Sequence, residues 1–351
     1  MADLKPEDFC CPLPIMEHET VQLSHGSGGR LSAELVAKIF LPRFANEILG
    51  RMDDQAVVDF GPGRLAFSTD SFVVDPLFFP GGDIGDLAVN GTVNDVSMCG
   101  ATPLYLSAAF IIEEGLPMTT LHKVALSMEK AARAAGVRVV TGDTKVVQRG
   151  SCDKLFITTT GVGILPADAN ISAANLVPGD RIIVSGTIAD HGMAILTSRE
   201  GFSFVSAIES DTAALNGLVA VMLSACPRIH ALRDPTRGGL AATLNEFAAS
   251  SRVGIVLSED VIPVRPEVRG ACEILGIDPL SVANEGKLVA VVPEDAASAV
   301  LAAMRRHPQG RGATVIGEVV AENRGIVAVR TTLGTQRIVD MPVGEQLPRI
   351  C

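Results

Sequence analysis

The chain has 351 residues, with 29 Lys and Arg against 40 Asp and Glu, and its formal net charge is −11. This acidic balance excludes a general binder of nucleic acids or anionic membranes, because such proteins depend on basic surfaces. A hydrophobic fraction of 47% and a charged fraction of 20% exclude a disordered chain. At about 150 residues per domain, this length predicts two domains.

The sequence contains no segment that is predicted to span a membrane. The most apolar uncharged segment, 96–112, is shorter than the roughly 20 residues of a spanning helix and contains Gly100 and Pro103. Residues 1–14 carry acids and prolines, which is unlike the apolar core of a signal peptide. The seven cysteines are scattered without a CxxC pair, so we expect thiols and no structural zinc site. These features predict a cytoplasmic protein.

The first half of the chain alternates between the periodicity of helices and that of strands. A glycine-rich segment, 26–29, precedes the first helical pattern, and a Gly-Pro-Gly segment at 61–63 joins two strands. Gly100 and Gly136 are expected to end two later helices. In chain order, the predicted elements are a helix over 31–40, strands over 56–58 and 65–69, a helix over 84–98, a strand over 104–112, a helix over 119–135, and strands over 137–140 and 155–164.

A second unit begins after a boundary predicted near 165–178. It mixes strands and helices in the same rough order, without a repeat at the level of sequence. The last residues, 340–351, contain two prolines and no periodicity, which predicts an extended tail. In chain order, the predicted elements are a strand over 181–185, helices over 191–198, 212–225 and 240–250, strands over 255–257 and 287–292, a helix over 296–306, and strands over 314–319 and 326–329.

Aspartates recur at the ends of the predicted strands. Mg²⁺ prefers carboxylate oxygens and often binds nucleotide phosphates at the same time, so several aspartates beside glycine-rich turns indicate a Mg-nucleotide site. Taken singly, each aspartate is also explained as a turn or helix-cap residue, and spacing alone does not decide between the two. The chain lacks the GxxxxGK[ST] sequence of P-loop enzymes. The aspartate segments are 53–57 (DDQAV), 68–71 (STDS), 94–96 (NDV), 142–145 (GDTK) and 234–239 (DPTRGG).

Together these five segments resemble the ATP-binding aminoimidazole-ribonucleotide-synthetase, or PurM-like, superfamily. Two further segments narrow the resemblance to the HypE family of carbamoyl dehydratases: 78–85 (FFPGGDIG) and the C-terminal 348–351 (PRIC). The resemblance runs from about Ser24 to the last residue, and the C-terminal ending is its most discriminating part. Cys10 and Cys11 lie outside it and receive no role.

The resemblance implies a two-domain α+β (mixed α/β) architecture of the PurM-like type, in which each domain combines a mixed sheet with helices. It divides the chain into an N-terminal segment with the Gly-rich loop (1–48), an N-terminal domain for ATP and Mg²⁺ binding and for dimerisation (49–166), a C-terminal domain (177–338) and a flexible tail that ends in a reactive cysteine (339–351). It also implies a homodimer with the site near the subunit interface.

The implied activity is an ATP-dependent dehydration. In such proteins a separate carbamoyltransferase loads a carboxamide onto the C-terminal cysteine, here Cys351. The protein then uses ATP to dehydrate this group to a thiocyanate. The cyano group passes to an iron held by a HypC–HypD complex, for the [NiFe]-hydrogenase centre. The implied cofactors are ATP and Mg²⁺.

Three residues are expected to be catalytic: Cys351 as the acceptor thiol, Lys145 as a partner of phosphate or imidate, and Glu285 as the base. Without the resemblance, Cys351 is explained as an incidental thiol, Lys145 as a surface charge and Glu285 as a cap residue. The expected metal ligands are Asp54, Asp70, Asp95 and Asp234. The expected nucleotide site contains these four together with Asp143, Gly28 and Gly29, whose loop is otherwise a plain linker.

Two other functions remain open at this point. One is a different ATP-using enzyme of the superfamily, similar to selenophosphate synthetase or thiamine-phosphate kinase, which has no need for the C-terminal PRIC ending. The other is a non-catalytic adaptor, which does not require the aspartates, Lys145 and Glu285 together. The remaining candidates have simpler explanations: His191 as a helix-start residue, and Cys99, Cys226 and Cys272 as buried apolar residues.

Overall fold

The computed structural model describes residues 29–40, 47–61, 63–199, 208–342 and 349–351. Within them, the first half of the chain forms one sheet with its helices and the second half forms another. The predicted mixed α/β fold class is confirmed. Gly28, Cys10 and Cys11 lie outside the described residues, as does the middle of the predicted tail, so the bounds of the four predicted segments stay predictions.

The first sheet has five strands with mixed pairing. They are β1 (Ala56–Phe60), β2 (Gly63–Phe72), β5 (Thr102–Glu113), β6 (Arg138–Val147) and β7 (Leu155–Leu165). Their order across the sheet is β1-β2-β7-β5-β6, with β5 and β6 parallel and the other neighbours antiparallel. A short hairpin consists of β3 (Phe78–Phe79) and β4 (Gly82–Asp83). Strand β6 therefore forms an open edge of the first sheet.

The first half contributes α1 (Arg30–Leu35), α2 (Ile84–Ser97) and α3 (Met118–Ala135). Helix α2 is almost entirely buried and contacts β2 and β7. Its start is fixed by a capping box, in which the Asp83 side chain accepts hydrogen bonds from the backbone of Gly85 and Asp86. Helix α3 ends at Gly136, whose φ of 73° suits a residue without a Cβ. The position of α2 brings its inner face directly against the sheet.

The second sheet has seven strands. They are β8 (Arg181–Val184), β9 (Ala231–Arg233), β10 (Gly254–Ser258), β11 (Val289–Val292), β12 (Thr314–Val320), β13 (Val327–Arg330) and β14 (Gln336–Ile338). Their order is β14-β13-β10-β12-β8-β11-β9, and only β10 and β13 pair in parallel. All four residues of β11 are buried, as expected for a strand that is covered on both faces.

The two halves of the chain share one hydrophobic cluster. It contains Phe72 and Leu87 from the first half, Met193 and Cys272 from the second, and Ile350 from the C-terminal end.

The helices of the second half are α4 (Asp190–Arg199), α5 (Asn216–Ala225), α6 (Gly239–Ser251), α7 (Pro266–Leu275) and α8 (Glu294–Arg306). Short turns are π-helical at Val36–Phe40 and 3-10 helical at Leu49–Arg51, Glu259–Val261, Pro279–Ser281 and Pro308–Gly310. None of the described helices is both long and apolar enough to cross a bilayer.

Most predicted elements coincide with observed ones, but two bounds were wrong. The strand predicted over 137–140 continues to Val147, because pairing with β5 sustains it through polar residues that interrupt the apolar pattern. The helix predicted over 212–225 begins only at Asn216. Asn94 of α2 accepts a hydrogen bond from Leu215 N at 2.8 Å and donates one to Ala213 O at 3.1 Å, which holds the preceding residues outside the helix. Strands β3, β4, β9 and β14 and helix α7 had no predicted counterpart.

Candidate active site

Four aspartates from separate segments form one acidic cluster, in which Asp234 is buried and the other three are half-buried. Asp54 precedes β1, Asp70 lies in β2, Asp95 lies on α2 and Asp234 directly follows β9. Burial raises the pKa of all four carboxyl groups above the usual value. In Asp95 and Asp234, repulsion from other members of the cluster raises the pKa further. The structure therefore brings together the four aspartates that were expected to bind metal.

The expectation that the aspartates lie at strand ends was wrong for Asp70 and Asp95. Asp70 lies within β2, and Asp95 lies on a helix. They meet because α2 packs across β2: the two carboxyl groups share a hydrogen bond, and Ser68 Oγ donates to Asp95 Oδ2 at 2.6 Å. The acidic cluster thus lies between a helix and a sheet.

Arg233, the last residue of β9, balances part of the acidic cluster. Its Nε lies 2.7 Å from Asp54 Oδ1, and its guanidinium also pairs with Glu246. The guanidinium carbon lies 5.5 Å from the centroid of the Phe247 ring. With 6% of its surface exposed, Arg233 is a fixed structural partner of Asp54.

Arg237 is a second cation beside the acidic cluster, and sequence reasoning assigned it no role. Its pKa is raised above the usual value, first by the charge on Cys351 and further by Asp70 and Glu285. The only signal for it in the sequence is its place in the segment 234–239, which contributed to the family resemblance. Arg237 therefore connects the C-terminal cysteine with the acidic cluster.

Glu285 lies in the loop before β11 with a buried carboxyl group. Its Oε1 has no hydrogen-bond partner among the described residues, and a Cβ added to Gly91 of α2 would lie 3.9 Å from its Oε2. Burial chiefly, and then the charge of Asp234, raise its pKa well above the ordinary value of 4.5. Its backbone is fixed by a 3.0 Å hydrogen bond from Glu285 N to Asp211 Oδ1. A buried acid with an unsatisfied oxygen indicates a role in chemistry.

The C-terminal residues dock against the body of the protein. Val73 N, directly after β2, donates to Cys351 O at 3.0 Å, and Asp75 N donates to Arg349 O at 3.2 Å. The side chain of Ile350, which is 6% exposed, lies in the shared hydrophobic cluster. Cys351 itself is half-buried. The structure thus places the C-terminal residue, whose charge acts on Arg237, near the acidic cluster.

Lys145 and Asp143 are not brought to the acidic cluster within one chain. Both lie in β6, where the Lys145 and Asp143 side chains are 70% and 61% exposed and form an ion pair at 3.1 Å. The expected position of Asp143 at a strand end was wrong, because the strand continues past it to Val147. If Lys145 and Asp143 act at an acidic cluster, it must therefore be the cluster of a second chain.

Gly29 lies where the predicted tail begins. An added Cβ at Gly29 would stand 2.1 Å from Pro342 O, so only glycine fits this position. Arg30 N also donates to Pro342 O, at 2.9 Å. The start of α1 therefore contacts Pro342, which lies within the predicted tail. A role of Gly29 in nucleotide binding stays a prediction.

Two matches with protein families cover most of the chain. Residues 52–165 match the AIR synthase related protein, N-terminal domain, and residues 177–330 match the AIR synthase related protein, C-terminal domain. Carbamoyl dehydratase HypE of Azotobacter vinelandii is 55% identical over 336 residues, which cover 96% of this chain and 98% of that protein.

Solved structures of HypE proteins resemble the chain closely. A HypE–HypF complex contains a chain with 51% identity and a TM-score of 0.84, and the match covers 88% of this chain and 99% of that one. HypE in complex with ATP has 52% identity and a TM-score of 0.80, with 95% and 100% covered. From these similarities and the assembled site, the chain belongs to the HypE carbamoyl dehydratase family, among the AIR synthase related proteins.

Proposed function

We propose that this protein dehydrates a carboxamide on its own Cys351 to a thiocyanate with ATP, and thereby supplies the cyanide ligand of the [NiFe]-hydrogenase iron. The observation that carries the proposal is the docked C-terminus. It brings the half-buried Cys351 to Arg237, which also interacts with Glu285 and Asp70. A thiol that only tethers a partner has no need of a buried acid and a neighbouring cation.

The proposed reaction converts the carboxamide oxygen, which is a poor leaving group, into part of a phosphate group, which is a good one. The carboxamide oxygen forms a bond to the γ-phosphorus of ATP as the bond to ADP breaks. The carbon–oxygen bond then breaks, phosphate leaves with the electron pair, and a carbon–nitrogen triple bond forms. Of the two N–H protons, one ends on the phosphate and the other is released to water. We assign the removal of one N–H proton to Glu285, whose buried Oε1 has no hydrogen-bond partner among the described residues and is available to accept it.

The acidic cluster fits a magnesium-nucleotide site. Among the described residues, no three His, Cys, Asp or Glu side chains are arranged to hold a metal ion by themselves. Mg²⁺ commonly binds through one or two carboxylates together with phosphates and water, so the buried, mutually repelling aspartates suit it. Asp54, Asp70, Asp95 and Asp234 would hold it, and when bound it offsets the charge of the phosphates.

Asp70→Asn is expected to weaken metal binding and at the same time to stabilise the metal-free fold. It removes a ligand, so we expect ADP formation to need roughly 10- to 100-fold more Mg²⁺. It also removes one buried charge, so the metal-free variant should unfold at a higher temperature than the wild type. Asp59→Asn, on the exposed end of β1, is the matched control. An unchanged Mg²⁺ requirement in Asp70→Asn would remove Asp70 from the metal site.

We propose that Lys145 and Asp143 reach the active site of a second copy in a homodimer. All of β6 from 138 to 146 is exposed, including Val140 at 58% and Val146 at 67%. An open strand edge with exposed valines is a surface that pairing with another chain would cover. This arrangement would supply the exposed Lys145 ammonium group to phosphates bound at the partner's acidic cluster.

Val140→Lys tests the dimer. A charge at this apolar edge should shift the protein from dimer to monomer in sedimentation velocity runs and reduce thiocyanate formation in parallel. Val177→Lys makes the same change at another valine, which is 49% exposed. It should leave the dimer and the rate of thiocyanate formation unchanged. A Val140→Lys protein that stays dimeric would mean that another surface forms the dimer.

The proposed partners follow from the reaction. A separate carbamoyltransferase must load Cys351, and the HypE–HypF complex supports such a partner for this chain. A HypC–HypD iron scaffold would accept the cyano group. The reaction would take place in the cytoplasm, where the free thiols of Cys99, Cys226, Cys272 and Cys351 are expected to persist.

A single-turnover experiment tests the proposed stoichiometry. Chains carbamoylated on Cys351 should form one ADP and one phosphate per thiocyanate when mixed with Mg²⁺ and ATP. The same protein without the carbamoyl group should form far less ADP. Equal ADP formation by both samples would instead favour an ATP-using enzyme that acts on a free small molecule.

A further inference from the structure

Arg199, the last residue of α4, bridges the body of the protein and the tail. Its Nη2 donates to Arg349 O at 2.8 Å and to Asp75 O at 2.6 Å, and its Nε donates to Asp75 O at 2.9 Å. Asp75 N completes the set with its own hydrogen bond to Arg349 O. Because the donors of a guanidinium lie in a rigid plane, these bonds fix one geometry between the tail and the segment after β2.

His191, near the start of α4, holds the next residue of the tail. Its Nε2 lies 2.6 Å from Ile350 O, and since a carbonyl oxygen only accepts, Nε2 must carry the proton. Its Nδ1 lies 2.8 Å from Ser210 Oγ, which accepts from Thr212 N at 3.2 Å and so donates to the ring. Burial lowers the pKa of His191, which favours this neutral tautomer. Both ring nitrogens are therefore satisfied only while the tail is docked.

Ile350 adds an apolar anchor between these polar contacts. Its side chain belongs to the same buried cluster as Val74, Met193 and Ala194. Helix α4 thus contributes to docking through hydrogen bonds near both of its ends and through apolar side chains between them. The last residue, Cys351, is held through an oxygen of its terminal carboxylate, which accepts a hydrogen bond from Val73 N.

We propose that His191 and Arg199 form a tail latch, which positions Cys351 beside Arg237 for the dehydration step. Both act through backbone carbonyls of the tail, so they are positioning residues rather than catalytic ones. The consequence for catalysis rests on the proposed function, but the docking itself does not.

The first test measures how fast iodoacetamide alkylates Cys351 in the full-length chain, by mass spectrometry of the C-terminal peptide. His191→Leu removes the donor to Ile350 O and replaces the imidazole with an apolar side chain of similar size. We expect Cys351 to react roughly tenfold faster, the effect of losing one hydrogen bond to a buried acceptor. His191→Gln retains a side-chain N–H and should restore the slow rate. Cys226, which is buried in a hydrophobic cluster that does not contain Ile350, is the internal control for unfolding and should not react faster.

Ile350→Ala provides a second variant that leaves α4 intact, so the test stands even if His191→Leu misfolds. It should also expose Cys351, because the apolar anchor is lost. Unchanged alkylation of Cys351 in Ile350→Ala and in folded His191→Leu would overturn the tail latch. Faster alkylation in folded His191→Leu, with Cys226 unchanged and the slow rate restored in His191→Gln, supports the tail latch. Faster alkylation in Ile350→Ala alone would instead mean that the apolar anchor holds the tail without His191, and would overturn the role of His191.

A second readout separates the tail latch from the proposed reaction. In carbamoylated chains at saturating ATP, His191→Leu should slow thiocyanate formation by about the factor by which it speeds alkylation, with the affinity for ATP unchanged. If wild-type chains make no thiocyanate but alkylation still responds to His191→Leu, the proposed function fails and the docking role stands. If wild-type chains make thiocyanate and neither rate responds, the tail latch fails alone.

Discussion

Cys351→Ala protein is expected to form no thiocyanate while it still binds Mg-ATP. The substitution removes the sulfur that carries the carboxamide, and it leaves the acidic cluster and Glu285 in place. Thiocyanate is measured as the modified C-terminal peptide and, after transfer, as the cyanide ligand on iron. ATP binding is measured by calorimetry on the same protein.

Cys152→Ala is the matched control for this prediction. Cys152 is also a half-buried free thiol, and its sulfur contacts the backbone of β5 rather than the acidic cluster. The control should retain full activity. If Cys351→Ala protein supported assembly of the cyanide ligand as well as the control does, the C-terminal cysteine would not be the acceptor.

Glu285→Gln is expected to lower the rate of thiocyanate formation by roughly 10²- to 10⁴-fold, the usual contribution of a general base. The amide keeps the size of the side chain but accepts no proton from the substrate nitrogen. ATP binding should stay close to that of the wild type, since Glu285 is assigned to the proton and not to the phosphates. Single-turnover measurements on carbamoylated protein separate these two quantities.

The same substitution has a predicted effect on stability that depends on pH. Burial raises the pKa of Glu285 well above 4.5, so the folded protein binds this proton more tightly than the unfolded chain does. The wild type therefore loses stability as the pH rises above 4.5 towards the raised pKa, and Glu285→Gln does not lose this contribution. In urea unfolding, we expect the variant to become more stable than the wild type as the pH rises through this range.

Glu322→Gln serves as control for both effects. Glu322 is exposed and lies between β12 and β13, away from the acidic cluster. It should change neither the rate nor the pH dependence of unfolding. A Glu285→Gln protein with the wild-type rate would contradict the role of Glu285 as the base.

The two sheets and most helices were predictable because apolar periodicity and glycine positions are local signals. The helix predicted over 84–98, for example, matches α2 to within one residue. The gathering of Asp54, Asp70, Asp95 and Asp234 was predictable only through the resemblance. No periodicity indicates that a helix crosses a strand at Asp70 and Asp95.

The remaining parts of the site depend on contacts between distant segments. Arg199, Asp75 and Arg349 meet through hydrogen bonds that join residues 124 and 150 positions apart, and no local pattern marks such pairs. His191 was interpreted as a helix-start residue, which its place in α4 confirms, but its bond to the tail has no signal in the sequence. The exposure of Lys145 agrees with its alternative interpretation as a surface charge, but the edge position of β6 was not predictable, because it depends on the order of the whole sheet.

The most direct test of the account is mass spectrometry of the C-terminal peptide after incubation with ATP, Mg²⁺, carbamoyl phosphate and the partner carbamoyltransferase. We expect a gain of about 43 Da on Cys351, which falls to a gain of about 25 Da as ATP is consumed, because S–H becomes S–CONH₂ and then S–CN. An unmodified Cys351, with the carbamoyltransferase shown to be active, would contradict the central claim.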